Sequence, residues 1–123
     1  MSLEAYRQVQ NIAESPRETE YRLFAQVTRA LMEAGERGVR DQAFFEALDW
    51  NRRLWSTLGT DCATAGNGLP KNLRAQIISI GLWVSKYSSQ VALGRADIEA
   101  LIDVNRTIME GLAARPAEAA EAP

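Results

Sequence analysis

Residues 41–65 read DQAFFEALDWNRRLWSTLGTDCATA, and this stretch decides the fold class. At about 100° per residue, Phe44, Leu48, Asn51, Trp55, Leu58 and Cys62 fall on one face, which is the period of an amphipathic helix and not the alternation of a strand. Asp41 stands where a capping carboxylate belongs. Gly59 weakens the helix without ending its pattern. Upstream, Ser15-Pro16-Arg17-Glu18 is a strong helix start: a hydroxyl cap, a proline suited to the first helical position and a glutamate that closes a capping box. The helix that follows places Leu23, Phe24, Val27 and Leu31 on one face and is expected to end near Gly35, inside the Gly35-Glu36-Arg37-Gly38 turn. Before it, residues 3–14 form a weaker helix, with Tyr6, Val9, Gln10 and Ala13 on its better face.

Downstream, Gly66-Asn67-Gly68-Leu69-Pro70 breaks the chain, and a fourth helix is expected from Pro70 to about Leu93, stopping at Gly94. It is unusual in carrying two stripes. Leu73, Ile77, Ile80, Val84, Tyr87 and Val91 form one; Ala75, Ile78 and Leu82 form another on roughly the opposite side, with Trp83 on a flank. A helix apolar most of the way round reads first as a central, buried one. The other reading is an open groove that receives a partner's helix. A last helix is expected from about Ala96 to Ala113, with Ile98, Leu101, Ile102, Asn105, Ile108, Met109 and Leu112 inward. The Ala/Glu/Pro tail after Arg115 has nothing to pack and is expected to be disordered. The whole is an all-α, single-domain bundle of about five helices over residues 1–115, with residues 116–123 as tail.

Two segments echo each other. Leu48-Asp49-Trp50-Asn51-Arg52-Arg53-Leu54-Trp55 and Ile102-Asp103-Val104-Asn105-Arg106-Thr107-Ile108-Met109 share the order apolar, Asp, apolar, Asn, Arg, variable, apolar, apolar. In each the asparagine falls near the middle of the apolar stripe. A buried asparagine needs hydrogen bonds, or it costs about 1–3 kcal/mol. The expectation is that Asn51 and Asn105 set helix register through buried partners, each other included.

At 123 residues the chain can bury roughly two-thirds of its unfolded surface without metal or disulfide. It contains no histidine, which removes the commonest general base and the commonest metal ligand together. Cys62, the single cysteine, lies on an inward face and reads as inert packing. No Cys and acidic residues have metal-site spacing, and Gly66-Asn67-Gly68 lacks the Gly-Lys-Ser/Thr of a phosphate loop. The expectation is a protein that is not an enzyme and uses no cofactor. With no leader-like segment and no apolar stretch long enough to span a bilayer, a cytoplasmic location without membrane insertion is expected. Net charge is −2, and the longest basic run is Arg52-Arg53, so direct nucleic-acid binding is disfavoured. Only Lys71 and Lys86 of the 14 basic residues are lysines. Trp50 lies about 120° from the centre of its helix's apolar face, next to Arg53, and these are residue types of interface hot spots.

Four stretches in this order and spacing resemble the FlaF family of flagellar biosynthesis regulators. They are Ser15-Pro16-Arg17-Glu18-Thr19-Glu20, Asn51-Arg52-Arg53-Leu54-Trp55, Leu69-Pro70-Lys71-Asn72-Leu73-Arg74-Ala75 and Ile102-Asp103-Val104-Asn105-Arg106. The likeness runs from the first helix to about Leu112; the family pattern often carries a non-glycine residue where this chain has Gly59. The resemblance implies a role in flagellin supply: a secretion chaperone or adaptor that binds flagellin, working alongside an FlbT-like repressor of flagellin translation, and with no catalytic residues. The alternative it leaves open is a regulator of flagellin mRNA translation. The partner surface expected from the geometry of the stripes combines Trp50, Arg53, Leu69, Pro70, Arg74, Ile78 and Leu82.

Overall fold

A computed structural model describes the backbone of residues 16–121 and the side chains of residues 18–111, residues 65 and 67 excepted in both. The described residues form four helices: α1 (Pro16–Arg37), α2 (Gln42–Ala63), α3 (Lys71–Ala92) and α4 (Glu99–Glu121). No strand occurs among them, so the all-α class expected from periodicity is the class found. The count of about five is corrected to four described helices, because the helix expected over 3–14, and the cap at Ser15, lie outside the described residues.

Local chemistry sets the boundaries. Pro16 opens α1, as its fixed φ and missing N–H allow. The helix runs past Gly35 to Arg37, and the residue in left-handed conformation is Gly38, with φ 64°. Gly35 serves packing instead of the turn. A Cβ there would lie 3.2 Å from Ile98 Cγ2, so its absence lets the start of α4 approach. Arg37 donates two hydrogen bonds to the Asp41 carboxylate, at 2.7 and 2.9 Å, and Asp41 Oδ1 accepts from the Phe44 N–H at 3.0 Å. One carboxylate thus caps α2 and ties it to the end of α1.

The end of α3 is capped twice. Gly94, with φ 76°, turns the chain so that its N–H reaches Val91 O and the Arg95 N–H reaches Gln90 O. The Arg40 guanidinium, held over the Phe44 and Phe45 rings, donates to Val91 O and Ala92 O. It thereby supplies a cation and donors to carbonyls that have no partner within their own helix. The last helix differs from expectation at its far end. Its backbone continues to Glu121, beyond the boundary near Ala113 and through Pro116. Alanine and glutamate dominate those residues, and their high intrinsic propensity carries the helix on without an apolar stripe.

The helices are layered in the order α3, α2, α1, α4. Phe24, Val27 and Leu31 of α1, Trp55 and Leu58 of α2, and Leu101 and Ile102 of α4 form the centre of the core, with Phe24 edge-on to Trp55 at 5.4 Å. The expectation that the fourth sequence helix would be the central, most buried one is overturned. This helix, α3, is an outer layer that packs on α2 through Ile77, Val84, Ser88 and Val91. Leu82 is 65% exposed and Trp83 38%. Periodicity counts apolar faces but does not say whether the chain has a neighbour for each of them.

The two asparagines are fully buried, as expected. Asn105 is the hub. Its Oδ1 accepts from the Trp55 indole N–H at 2.8 Å, and its Nδ2 donates to Asn51 Oδ1 at 2.8 Å and to Thr28 Oγ1 at 3.1 Å. Thr28 Oγ1 in turn donates towards Met109 Sδ at 3.8 Å. Asn51 Nδ2 has no partner.

Two outcomes follow from these contacts. Asn105→Leu strands the buried Trp55 N–H and leaves Asn51 unpaired, and should lower unfolding free energy by about 2–4 kcal/mol. Asn51→Leu removes an acceptor but also an unsatisfied donor, so its loss should be smaller. Urea unfolding of both variants checks the ranking. In addition, the hydrogen bonds from Arg37 and then from the Phe44 N–H hold the Asp41 carboxyl below the ordinary carboxylate range. A lowered native pKa adds stability above the unfolded-state value, and that stability is lost as pH falls through the native one. Asp41→Ala should therefore flatten the fall in melting temperature below about pH 4.

Candidate functional site

Helix α2 buries one stripe and presents the other side to two open clefts. On its α1 side, a floor of Ala30, Ala34, Ala43 and Ala47 is rimmed by Trp50, Arg53, Glu33 and Glu46. On its α3 side, Ser56, Gly59, Thr60 and Ala63 face Ile78, Gly81, Leu82 and Ser85, with Asp49, Arg52 and Arg53 along the rim. Arg53 borders both clefts, and its Nε lies 3.1 Å from Asp49 Oδ2.

The seven residues expected to share one partner surface separate into three groups. Trp50, 38% exposed, stands with Arg53 at the α1–α2 cleft. Ile78 and Leu82 stand with Arg53 at the α2–α3 cleft. Leu69, Pro70 and Arg74 line neither cleft. Leu69 is a core residue, which seats the turn between α2 and α3. Arg74 is half-buried and reaches back to Cys62 O at 3.4 Å, at the end of α2. A structural duty thus takes up Leu69 and Arg74, while Pro70 is exposed beside them.

What periodicity missed is the small-residue wall. Ser56, Gly59, Thr60 and Ala63 recur at intervals of three, one and three residues, which puts them on one helix side. That spacing is the signal that could have found it. Its consequence is that the α2 backbone itself lies at the cleft surface: a Cβ placed on Gly59 meets nothing within 4 Å. At Gly81 a Cβ would rest at 3.7 Å from the Trp55 ring, an ordinary contact. The cleft therefore combines apolar walls, exposed backbone and a guanidinium rim, which is what a docking partner uses. Cys62 is buried and outside both clefts. Among the described residues no cluster of three or more His, Cys, Asp or Glu could hold a metal ion, and no helix is long and apolar enough to cross a membrane.

Among known families, the model described as Flagellar protein FlaF aligns with residues 2–112. No curated protein and no solved structure matches.

Gly59 offers a direct measure of how open the wall is. Glycine inside a helix is less stable than alanine by about 0.5–1 kcal/mol, and no atom opposes the added methyl group. Gly59→Ala should raise unfolding free energy by that amount in urea titration. A decrease would mean that the site is filled.

Proposed function

The chain belongs to the flagellar protein FlaF family, and on that premise we propose that it is a non-enzymatic chaperone or adaptor that binds flagellin in the cytoplasm and promotes its production and export. The observation that carries this reading is the α2–α3 cleft with its exposed Leu82. A solvent-facing leucine beside Ile78 and a wall of small residues is surplus to the fold's own core. Flagellin's terminal segments are amphipathic helices only in the assembled filament, and before assembly they need their apolar faces covered. A shallow apolar cleft bordered by arginines meets that need by contact alone, with no covalent step. Trp50 and the α1–α2 cleft provide a neighbouring contact that shares Arg53.

Calorimetric titration of flagellin into folded variants tests the proposal. Leu82→Asp changes a residue that makes little of the core, so circular dichroism should show an intact fold. Flagellin affinity should fall at least tenfold, about 1.4 kcal/mol. Trp50→Ala should weaken binding as well, by about 2 kcal/mol if the tryptophan is a hot spot. Cys62→Ala, a small cavity in the core, should bind like the parent and melt slightly lower. Unchanged flagellin affinity in both Leu82→Asp and Trp50→Ala would sink the reading. Recovery of flagellin mRNA in place of flagellin with the tagged protein would move the chain to the control of translation.

A further inference from the structure

The charge pattern around the α2–α3 cleft is not that of the molecule as a whole. The chain is acidic, with net charge −2. Yet α3 carries Lys71, Arg74 and Lys86 and not one carboxylate from Lys71 to Ala92. Lys86 follows the exposed Leu82 by one helical turn, and Lys71 precedes Ile78 by two. The opposite wall adds Arg52 and Arg53 against a single lining carboxylate, Asp49, which lies 3.1 Å from Arg53 Nε and 4.0 Å from Arg52 Nη2, so two cations share one negative charge. Among the described residues, α1 holds Glu18, Glu20, Glu33 and Glu36 and α4 holds Glu99, Asp103 and Glu110. Both of the chain's lysines are thus on α3.

We propose that the α2–α3 cleft is the docking site for an amphipathic helix whose apolar stripe is flanked by carboxylates. The apolar stripe would rest on Ile78, Leu82 and the open backbone at Gly59, where the missing side chain admits one from the guest. The flanking carboxylates would face Arg52 and Arg53 on one wall and Lys71 and Lys86 on the other. From Asp49 to Ala63 the α2 wall is about 21 Å long at 1.5 Å per residue, the length of roughly four helical turns. The shape favours a helix over a membrane surface, because Ile78 and Leu82 border a cleft between two helices. The proposal deepens the chaperone reading by naming the chemistry of the bound segment, but it does not require that segment to come from flagellin.

The probe is a pair of synthetic 18-residue helices with the same leucine stripe, one flanked by glutamates and one by lysines, titrated into the full-length protein by fluorescence anisotropy. The glutamate peptide should bind at least tenfold more tightly than the lysine peptide, and more weakly as salt rises. A Cβ at Gly59 meets nothing within 4 Å, so Gly59→Leu puts its side chain into the cleft and should abolish binding. Leu82→Asp, at an exposed position, should do the same should the first variant misfold. Lys86→Glu should narrow the ratio between the peptides. Equal affinity for the two peptides, or undiminished binding in both cleft variants, overturns the proposal. So does a protein that ignores both peptides, whether it then sediments with vesicles rich in phosphatidylglycerol, self-associates on a sizing column or does neither. Flagellin binding without preference for the acidic peptide would refute this inference and leave the chaperone reading intact; the acidic preference without flagellin binding would do the reverse.

Discussion

The carboxamide of Asn105 is the point on which the arrangement of the helices depends. A tryptophan the size of Trp55 contributes a large buried area, but its indole N–H must find an acceptor once water is excluded. That acceptor is on α4, fifty residues away in sequence. The two protons of the same amide go to α2 and to α1. One side chain is therefore satisfied only when three helices stand at one mutual height and rotation. Sliding a helix by one residue moves it about 1.5 Å and turns it about 100°, which breaks the set together. Apolar contacts supply most of the buried area, but leucines and valines tolerate such slips far better than a closed set of hydrogen bonds does. The cost is visible in Asn51 Nδ2, which is buried and unpaired.

Helix α3 stands outside this network. It is attached by the stripe it lays on α2, by the Arg40 guanidinium at its last carbonyls and by the Tyr87 hydroxyl, which donates to Asp97 O at 2.7 Å. Of its second stripe, Ile78 is half-buried and packs against the core, while Leu82 stays exposed. The outer position accounts for a helix with more apolar surface than one neighbour can cover. Trp83 covers part of its own area by stacking on Tyr87 at 4.6 Å, and Leu82 has no such neighbour.

The elements were legible because each has a local cause. Asp41, Pro16 and Gly94 act within a turn of where they stand, and the periods of α1, α2 and α4 have only one apolar side to choose from. The importance of Asn51 and Asn105 was legible too, since a polar residue centred in an apolar stripe has to be explained. What periodicity could not give was the place of each helix among its neighbours. The double stripe of α3 fits a central helix and an edge helix equally well until the layers are known. Leu69 and Arg74 stand beside the second stripe in sequence, but Leu69 is buried in the core and Arg74 reaches Cys62 O at the end of α2. Arg40 gave no local signal, because the carbonyls it caps are about fifty residues further along. The small-residue wall of the cleft went unseen since periodicity weighs large apolar residues and passes over small ones.

The network of Asn105 and the cleft are connected through α2. Asn51 and Trp55 point inward from the same helix on which Asp49, Ser56 and Thr60 are exposed and line the cleft with Gly59. Fixing the rotation of α2 from inside therefore also fixes which residues line the cleft outside; a turn of one residue would carry Gly59 away from the wall and bring a bulkier neighbour to it. Binding to a surface held in advance costs less order than binding to one that must form, so more of the contact energy appears as affinity. For a protein of this size a dedicated scaffold under the cleft is hard to build from apolar packing alone, which allows alternatives of similar energy. A few buried hydrogen bonds remove those alternatives. The unpaired Asn51 donor then counts as a modest loss in stability set against a single orientation of the helix that carries the binding wall.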